Sequence, residues 1–290
     1  MARRTRSGVR LAVLFLFALS VALLVILAAC PPAAKRPSQQ PAGPQPTGQK
    51  PAASTPESPR PEVQGRMAVL IDDAGYDLGE LEPFLRLPIA LAVAVLPNLP
   101  HSTEAARMVL AAGKELLVHC PMEPEGNEDP GPGALRTGDS PAERRRLLEA
   151  ALSTVPGARG LNNHMGSKAT ADEDLMRGVL SLLGERGMFF VDSRTTAQTV
   201  GARVAQELRV PYLARDVFID AANSDGEIAQ AFASGIDRAV NRGSALLIGH
   251  VQNRGVLAIL RASAPALREA GVRLTPLSEI LDGSSGGSGR

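Results

Sequence analysis

Along residues 67–281, short apolar runs that stop at a polar residue, a proline or a glycine alternate with stretches of helical period. The first run, Met67–Ile71, leads straight into Asp72 and Asp73 and then Ala74-Gly75. Ile89–Leu96 is closed by Pro97, and Glu115–His119 reads as a third strand. Further runs begin at Ala158, at Met188 (ahead of Asp192), at Ser244 (ahead of His250) and at Val272. Between them the helices mark their own starts. Ser140-Pro141-Ala142-Glu143, Thr170-Ala171-Asp172-Glu173 and Ser224-Asp225-Gly226-Glu227 each set a hydroxyl three residues before a glutamate. That is the capping-box spacing, which satisfies free N–H groups at a helix N-terminus. The three helices are expected to end at Pro156-Gly157, near Gly187, and at about Arg242 ahead of Gly243. Ser102–Ala112 is a further helix closed by Gly113, and Val256–Ala270 is one interrupted by Pro265.

The runs are apolar with little alternation, which fits strands buried on both faces, as in parallel sheets. Seven or eight of them with helices between argue for an α/β fold. A polar residue follows most of the runs. A barrel gathers all such strand ends into one ring, whereas an open doubly wound sheet gathers only those near its switch point. The expectation is a distorted or incomplete (β/α) barrel of about seven parallel strands, with residues 67–281 as one domain.

The flanks differ from that domain. Arg3, Arg4, Arg6 and Arg10 precede an apolar run from Leu11 to Ala29, the arrangement of an export leader. The run ends Leu27-Ala28-Ala29-Cys30, which resembles a bacterial lipobox and makes Cys30 a candidate for lipidation. Its length exceeds the ~7–15 residues of a cleaved leader core and also suits an uncleaved signal anchor. Under either reading residues 1–30 tether the protein in the bacterial cell envelope, on the outer side of the cytoplasmic membrane. Residues 31–66 are rich in Pro, Ala, Gln, Ser and Thr and are expected to be a disordered linker; residues 282–290 are expected to be a flexible tail. The formal charge is +1, and removing the four leader arginines leaves −3 with no basic tract, which argues against a nucleic-acid partner. With Cys30 lipidated, Cys120 has no intrachain partner, so the fold must stand on its core.

Candidate chemistry gathers at the strand ends. Neighbours on a strand point to opposite faces, so Asp72 and Asp73 need not share a task, and one of them could simply cap the next helix. If both converge on one site, a cation or a shared proton must relieve their repulsion. Of the four histidines, His119 ends ELLVH, His164 lies in LNNHMGS and His250 ends ALLIGH. Each alone reads more readily as a satisfied structural residue than as a ligand. Together with the aspartates they are the ligand types of a zinc-like cation. Glu123 either orients a ligand or caps a turn, Asn162 and Asn163 offer amide donors, and Gly166 permits a close backbone approach. Asp192 and the pair Arg215-Asp216 follow apolar strands, either as structural ion pairs or as groups that hold the ligands in place. Cys120 should point away from His119 into packing, and His101 reads as a surface or capping residue. No nucleophile elbow, P-loop or dinucleotide fingerprint occurs.

IDDAGY, HCPMEP, LNNHMGSKAT, FFVDSRT, RDVFID and IGH, in this order, resemble the divergent polysaccharide deacetylases, a distant branch of the NodB-type carbohydrate esterases. The resemblance spans residues 67–281 and implies a NodB-like barrel and a divalent metal, Zn2+ first among the candidates. Carried over residue by residue, it implies Asp72 as catalytic base, Asp73 as metal ligand and His250 as catalytic acid. NodB-type enzymes take two histidine ligands from one H-x-x-x-H-type motif, which this chain lacks. His119 and His164, on different strands, are the available substitutes. Val251-Gln252-Asn253-Arg254 also departs from the proline-containing loop that the family places after its late histidine.

The function expected is metal-dependent N-deacetylation of an envelope glycan, with peptidoglycan among the candidates. The chain has no tryptophan and only two tyrosines, Tyr76 and Tyr212, which argues against a long aromatic-lined groove. That keeps open a second reading, a non-catalytic envelope lipoprotein binding a glycan or a cell-wall partner through the same cleft. A receiver-domain reading of VLIDD fails, because such domains need an aspartate where His119 stands.

Overall fold

The computed structural model describes residues 63–285, with side chains to residue 282. The leader with Cys30, the linker as far as residue 62 and the tail from residue 286 lie outside the described residues. The chain order is β1 (Gly65–Ala74), α1 (Leu78–Leu85), β2 (Ala92–Val95), α2 (Ser102–Ala111), β3 (Glu115–Met122), α3 (Pro141–Thr154), β4 (Gly160–Met165), α4 (Glu173–Glu185) and β5 (Phe189–Asp192). It continues with α5 (Gly201–Leu208), β6 (Tyr212–Ala214), β7 (Val217–Phe218), α6 (Asp225–Arg242), β8 (Ser244–His250), α7 (Arg254–Ala262), α8 (Ala264–Glu269), β9 (Val272–Leu274) and α9 (Leu277–Ser285).

Every strand pairing is parallel, in the order β6-β5-β4-β3-β2-β1-β8-β7. β6 and β7 stand at opposite ends of that path, yet only Arg215 and Asp216 separate them. A step from Ala214 to Val217 spans at most about 11 Å, so the sheet must curl until its two edges are neighbours. The backbone N–H of Arg215 donates to the Asp192 carbonyl at 2.9 Å, and that of Asp216 donates to the Leu246 carbonyl at 2.8 Å. The chain thus crosses from the β5 edge to the β8 edge within two residues. Counting β6 and β7 as one kinked strand reduces the eight of the path to seven around a distorted barrel. β9 lies off the path, beside the first residues of β1.

Strand alternation fills the interior. Ala68 and Leu70 of β1, Ala92 and Ala94 of β2, Leu117 of β3, Phe189 and Val191 of β5, and Leu246 and Ile248 of β8 form one buried cluster. A Cβ on Gly160 would meet the Phe189 ring at 2.6 Å, so glycine there makes room for the largest of these side chains. Leu277, Ile280 and Leu281 of α9 join the cluster. Glu115, the first residue of β3, accepts from the Leu277 and Ser278 N–H groups at 2.5 and 3.3 Å, which seats α9 against the N-terminal end of the barrel. The opposite mouth is left for chemistry.

The helix starts follow the capping signals with one exception. Ser224 and Glu227 form a complete capping box, and Ser140 accepts from the Glu143 N–H at 3.2 Å. The Thr170 hydroxyl instead donates to the Gly166 carbonyl at 2.8 Å, and Asp172 caps α4 by accepting from the Leu175 N–H at 2.7 Å. Two capping groups stood close together in the sequence, and the turn after β4 claimed the first. Pro265 separates α7 from α8 by sitting in the first turn of the second, where a missing N–H costs nothing.

Candidate metal centre

The interior rows of β1, β3 and β8 continue, two residues on, to Asp72, His119 and His250 at the C-terminal mouth. The register pairs Asp72 with His250, and on the other side pairs His119 with Asn162 and Pro121 with His164. Asp73 should face away by the same alternation. It does not, because its backbone is left-handed (φ 58°) and the β1–β2 register shifts between Ile71 and Ala74. This local irregularity brings both carboxylates to one site. Gly166 (φ 89°) allows the turn out of β4 just beyond His164, and a Cβ there would meet the Met122 Cβ at 2.8 Å.

Asp73 Oδ1 lies 3.1 Å from His119 Nε2 and 3.0 Å from His164 Nδ1, and the two ring nitrogens are 3.0 Å apart. The Asp73 Oδ1 atom is buried and accepts no hydrogen bond despite this crowding. Three donor atoms forming a triangle, with one oxygen left unpartnered, suit a shared cation. A tetrahedral zinc site with bonds of ~2.0–2.1 Å has donor–donor edges of about 3.3 Å, so the triangle fits after an adjustment of a few tenths of an ångström. Burial pushes His119 below its ordinary value, toward the neutral imidazole that binds metal. Burial raises the Asp73 carboxyl, but the two imidazoles outweigh it and hold the group well below the usual carboxylate range. The protein's own groups therefore give one carboxylate and two imidazoles.

Asp72 is only 2% exposed, and its Oδ1 has no hydrogen-bond partner. Its oxygens lie 3.8 Å from His119 Nε2 and 3.9 Å from His250 Nε2. Burial pushes its carboxyl well above the usual range, against the lowering effect of His250. His250 is held from behind: Asp220 Oδ1 lies 3.0 Å from its Nδ1, and Asp220 Oδ2 accepts from its backbone N–H at 3.1 Å. The Asp220 carboxylate raises His250 to about 9, in spite of partial burial. The Phe218 ring stacks on the imidazole at a centroid distance of 5.8 Å, with the Arg215 guanidinium 3.9 Å from the Phe218 centroid.

The remaining candidates mostly brace the framework instead of touching the ligands. Glu123 accepts from Thr137 through both its N–H and its hydroxyl, and pairs with Lys168 at 2.8 Å, which holds it down at about 2 and ties two loops together. The Asn163 side chain donates to the Met165 carbonyl and accepts from the Ser193 N–H, locking the ends of β4 and β5. Asp192 accepts from Thr199 and Tyr212, each at 2.7 Å, on the outer side of the barrel. Asp216 accepts from the Leu246 N–H at 3.0 Å and pairs with Arg242 and Arg238. Arg215 binds the Ser193 carbonyl and reaches the site only through Phe218. Cys120 is buried packing, and burial pushes its thiol up to about 12. Asn162 is different. It lies in the interior on the strand paired with that of His119, donates to Ser193 Oγ and the Val191 carbonyl, and leaves its Oδ1 buried and unpartnered, as His119 Nδ1 also is.

Two residues of the site were not singled out from the sequence. Asp220 closes the RDVFID segment, where an aspartate after an apolar strand was the available signal. Gln252 donates to Asp73 Oδ2 at 3.2 Å and had no signal of its own.

Residues 69–281 match the family described as divergent polysaccharide deacetylase. An uncharacterised protein of Haemophilus influenzae is 35% identical over 206 residues, covering 71% of this chain and 73% of the relative. The uncharacterised protein YibQ of Escherichia coli is 38% identical over 186 residues, 64% of this chain and 58% of the relative's length. The crystal structure of an uncharacterised Agrobacterium tumefaciens protein superposes with a TM-score of 0.71 at 20% identity, covering 74% of this chain and 89% of that one, and shares the fold.

Proposed function

The chain belongs to the divergent polysaccharide deacetylase family, and from that premise we propose that it removes N-acetyl groups from an envelope carbohydrate with the help of a divalent cation. The observation that carries the reading is the triangle of Asp73 Oδ1, His119 Nε2 and His164 Nδ1, with Asp72 and His250 on one flank. A cation held by those three side chains would supply Lewis acidity to the acetyl carbonyl and to the attacking water. Asp72, buried and with an unpartnered oxygen, is placed to take a proton from that water. Its high intrinsic basicity makes it an effective acceptor once ionised. His250 Nε2 faces the same space and carries a proton that it can give to the departing amine nitrogen. Asp220 fixes that tautomer by accepting at Nδ1, so the proton offered to the substrate is the one on Nε2. Tyr76, 61% exposed just past Gly75, is the aromatic face available to a sugar at the rim.

The test separates binding from turnover. His164→Ala should lose metal well beyond the ~10–100-fold typical of residues that only support a ligand. Asp72→Asn should keep the metal and lose roughly 10²–10⁴-fold in deacetylation of an N-acetylated oligosaccharide. Metal content is read by elemental analysis and turnover by released acetate. Loss of metal from Asp72→Asn would reverse the division of labour between the aspartates. Wild type that holds the metal but releases no acetate from any envelope glycan would favour the glycan-binding reading instead.

A further inference from the structure

Helices α1 and α7 leave the barrel mouth beside the site and frame a groove of about 510 Å³. Its inner end is the start of the loop after β8. There the Val251 N–H donates to the Asp72 carbonyl at 3.1 Å, and Gln252 binds Asp73. The inner end of the groove is therefore one hydrogen-bonded neighbour away from the two candidate aspartates. Arg254, Leu257, Ala258 and Arg261 line one wall at spacings of three and four, a single stripe of α7. Asp77, Glu80 and Phe84 line the other. The walls are thus oppositely charged over a partly apolar floor.

These charges lack internal employment. Among the described residues, Arg254, Arg261 and Glu80 have no ion pair or hydrogen bond through their side chains, and Asp77 only caps Gly79. On α3, α4 and α5, by contrast, arginines are matched to glutamates. Arg254 is also the first residue of α7, with no acidic residue in that turn, where a cation opposes the helix dipole. A neutral sugar chain could hydrogen-bond to either wall, but only a ligand carrying both a cation and an anion would neutralise both. A polyanion would be repelled by the α1 wall.

We propose that the groove receives a short peptide carried by the glycan. Its free carboxylate would lie on Arg254 and Arg261, its free amine on Asp77 and Glu80, and its small apolar side chains over Leu257 and Phe84. The volume is within the ~300–1,000 Å³ common for ligand sites. This rests on the deacetylase reading above, and it deepens that reading by making the substrate a peptide-substituted amino-sugar polymer.

Binding to the full chain is measured by calorimetry with two probes. One is an N-acetylated disaccharide, and the other is the same disaccharide bearing a short peptide with a free amine and a free carboxylate. Wild type should prefer the second, and the free peptide should compete with it. Arg254→Ala/Arg261→Ala should reduce that preference by roughly tenfold per guanidinium, the scale of one charge-assisted hydrogen bond. Both side chains are exposed, and a thermal melt checks the fold. Glu80→Gln provides an independent variant that should weaken discrimination between the free and the N-acetylated amine. Equal binding of the two probes by wild type, or full preference in the double variant, overturns the proposal. Acetate release scored on the same probes keeps the two failures apart. Turnover without peptide preference sinks only the groove, and preference without turnover sinks only the deacetylase.

Discussion

Asp73 holds a left-handed backbone that costs an L-residue roughly 1–2 kcal/mol, and its carboxylate is the reason such a conformation is worth keeping. In an ordinary strand conformation its side chain would face away from His119 and His164. Asp220 makes the second residue-level case. Its carboxylate is the main influence raising His250, which therefore stays protonated up to about 9 and loses its proton only above that pH. An acid that must be protonated to work gives a rate that falls on the alkaline side. Asp220→Asn should move that alkaline limb of kcat/KM from about pH 9 toward the ordinary imidazole value of ~6.5. The loss of rate should be large at pH 8 and small at pH 6, and a pH–rate profile reads it directly. An alkaline limb that stays in place would detach Asp220 from the acid.

Among the elements, the kinked β6–β7 strand decides the shape of the barrel. Two residues carry the chain from one sheet edge to the other, and Asp216 secures the second edge through the Leu246 N–H. Removing that acceptor leaves a part-buried donor without a partner, at a cost of about 1–3 kcal/mol. Asp216→Ala should therefore lower Tm by several degrees, at roughly 2–4 °C per kcal/mol for a domain of this size. Metal affinity should stay at the wild-type level, because the residue touches none of the three proposed ligands. A variant with normal Tm and weakened metal binding would place Asp216 at the site after all. Glu123, Asn163 and Asp192 belong with it as braces, and the same pair of measurements sorts them.

For the whole molecule, the proposed location rests on residues outside the described structure. The arginines before Leu11 and the Leu27–Cys30 segment lead to the expectation of a membrane-tethered envelope protein. Cys30→Ser should abolish incorporation of labelled fatty acid, and should leave the protein released or as unprocessed precursor. A wild-type protein that stays with the membrane without any label would identify the leader as an uncleaved anchor. If the chain is tethered and acts on a polymer as proposed, it would meet that polymer at a surface, where a groove beside the barrel mouth would matter. Opposite that mouth, among the described residues, α9 packs against the barrel interior.

The apolar runs by themselves determined the parallel α/β fold, because strands buried on both faces leave an unambiguous composition. The two-residue alternation within β1, β3 and β8 already places Asp72, His119 and His250 on the side that packs Leu70, Leu117 and Ile248. The tertiary structure decided the rest. Asp73 enters the site through a backbone angle that alternation predicts against. β7 was too short to register as an apolar run, and the pairing of β6 and β7 depends on where two distant sheet edges meet. Asp220 reaches His250 across 30 residues of chain, and Asn163 reaches Ser193 across the same distance. One contact tunes a candidate acid and the other merely ties two strands. Local sequence looks alike in the two cases, because a polar side chain takes its role from the partner that packing brings to it.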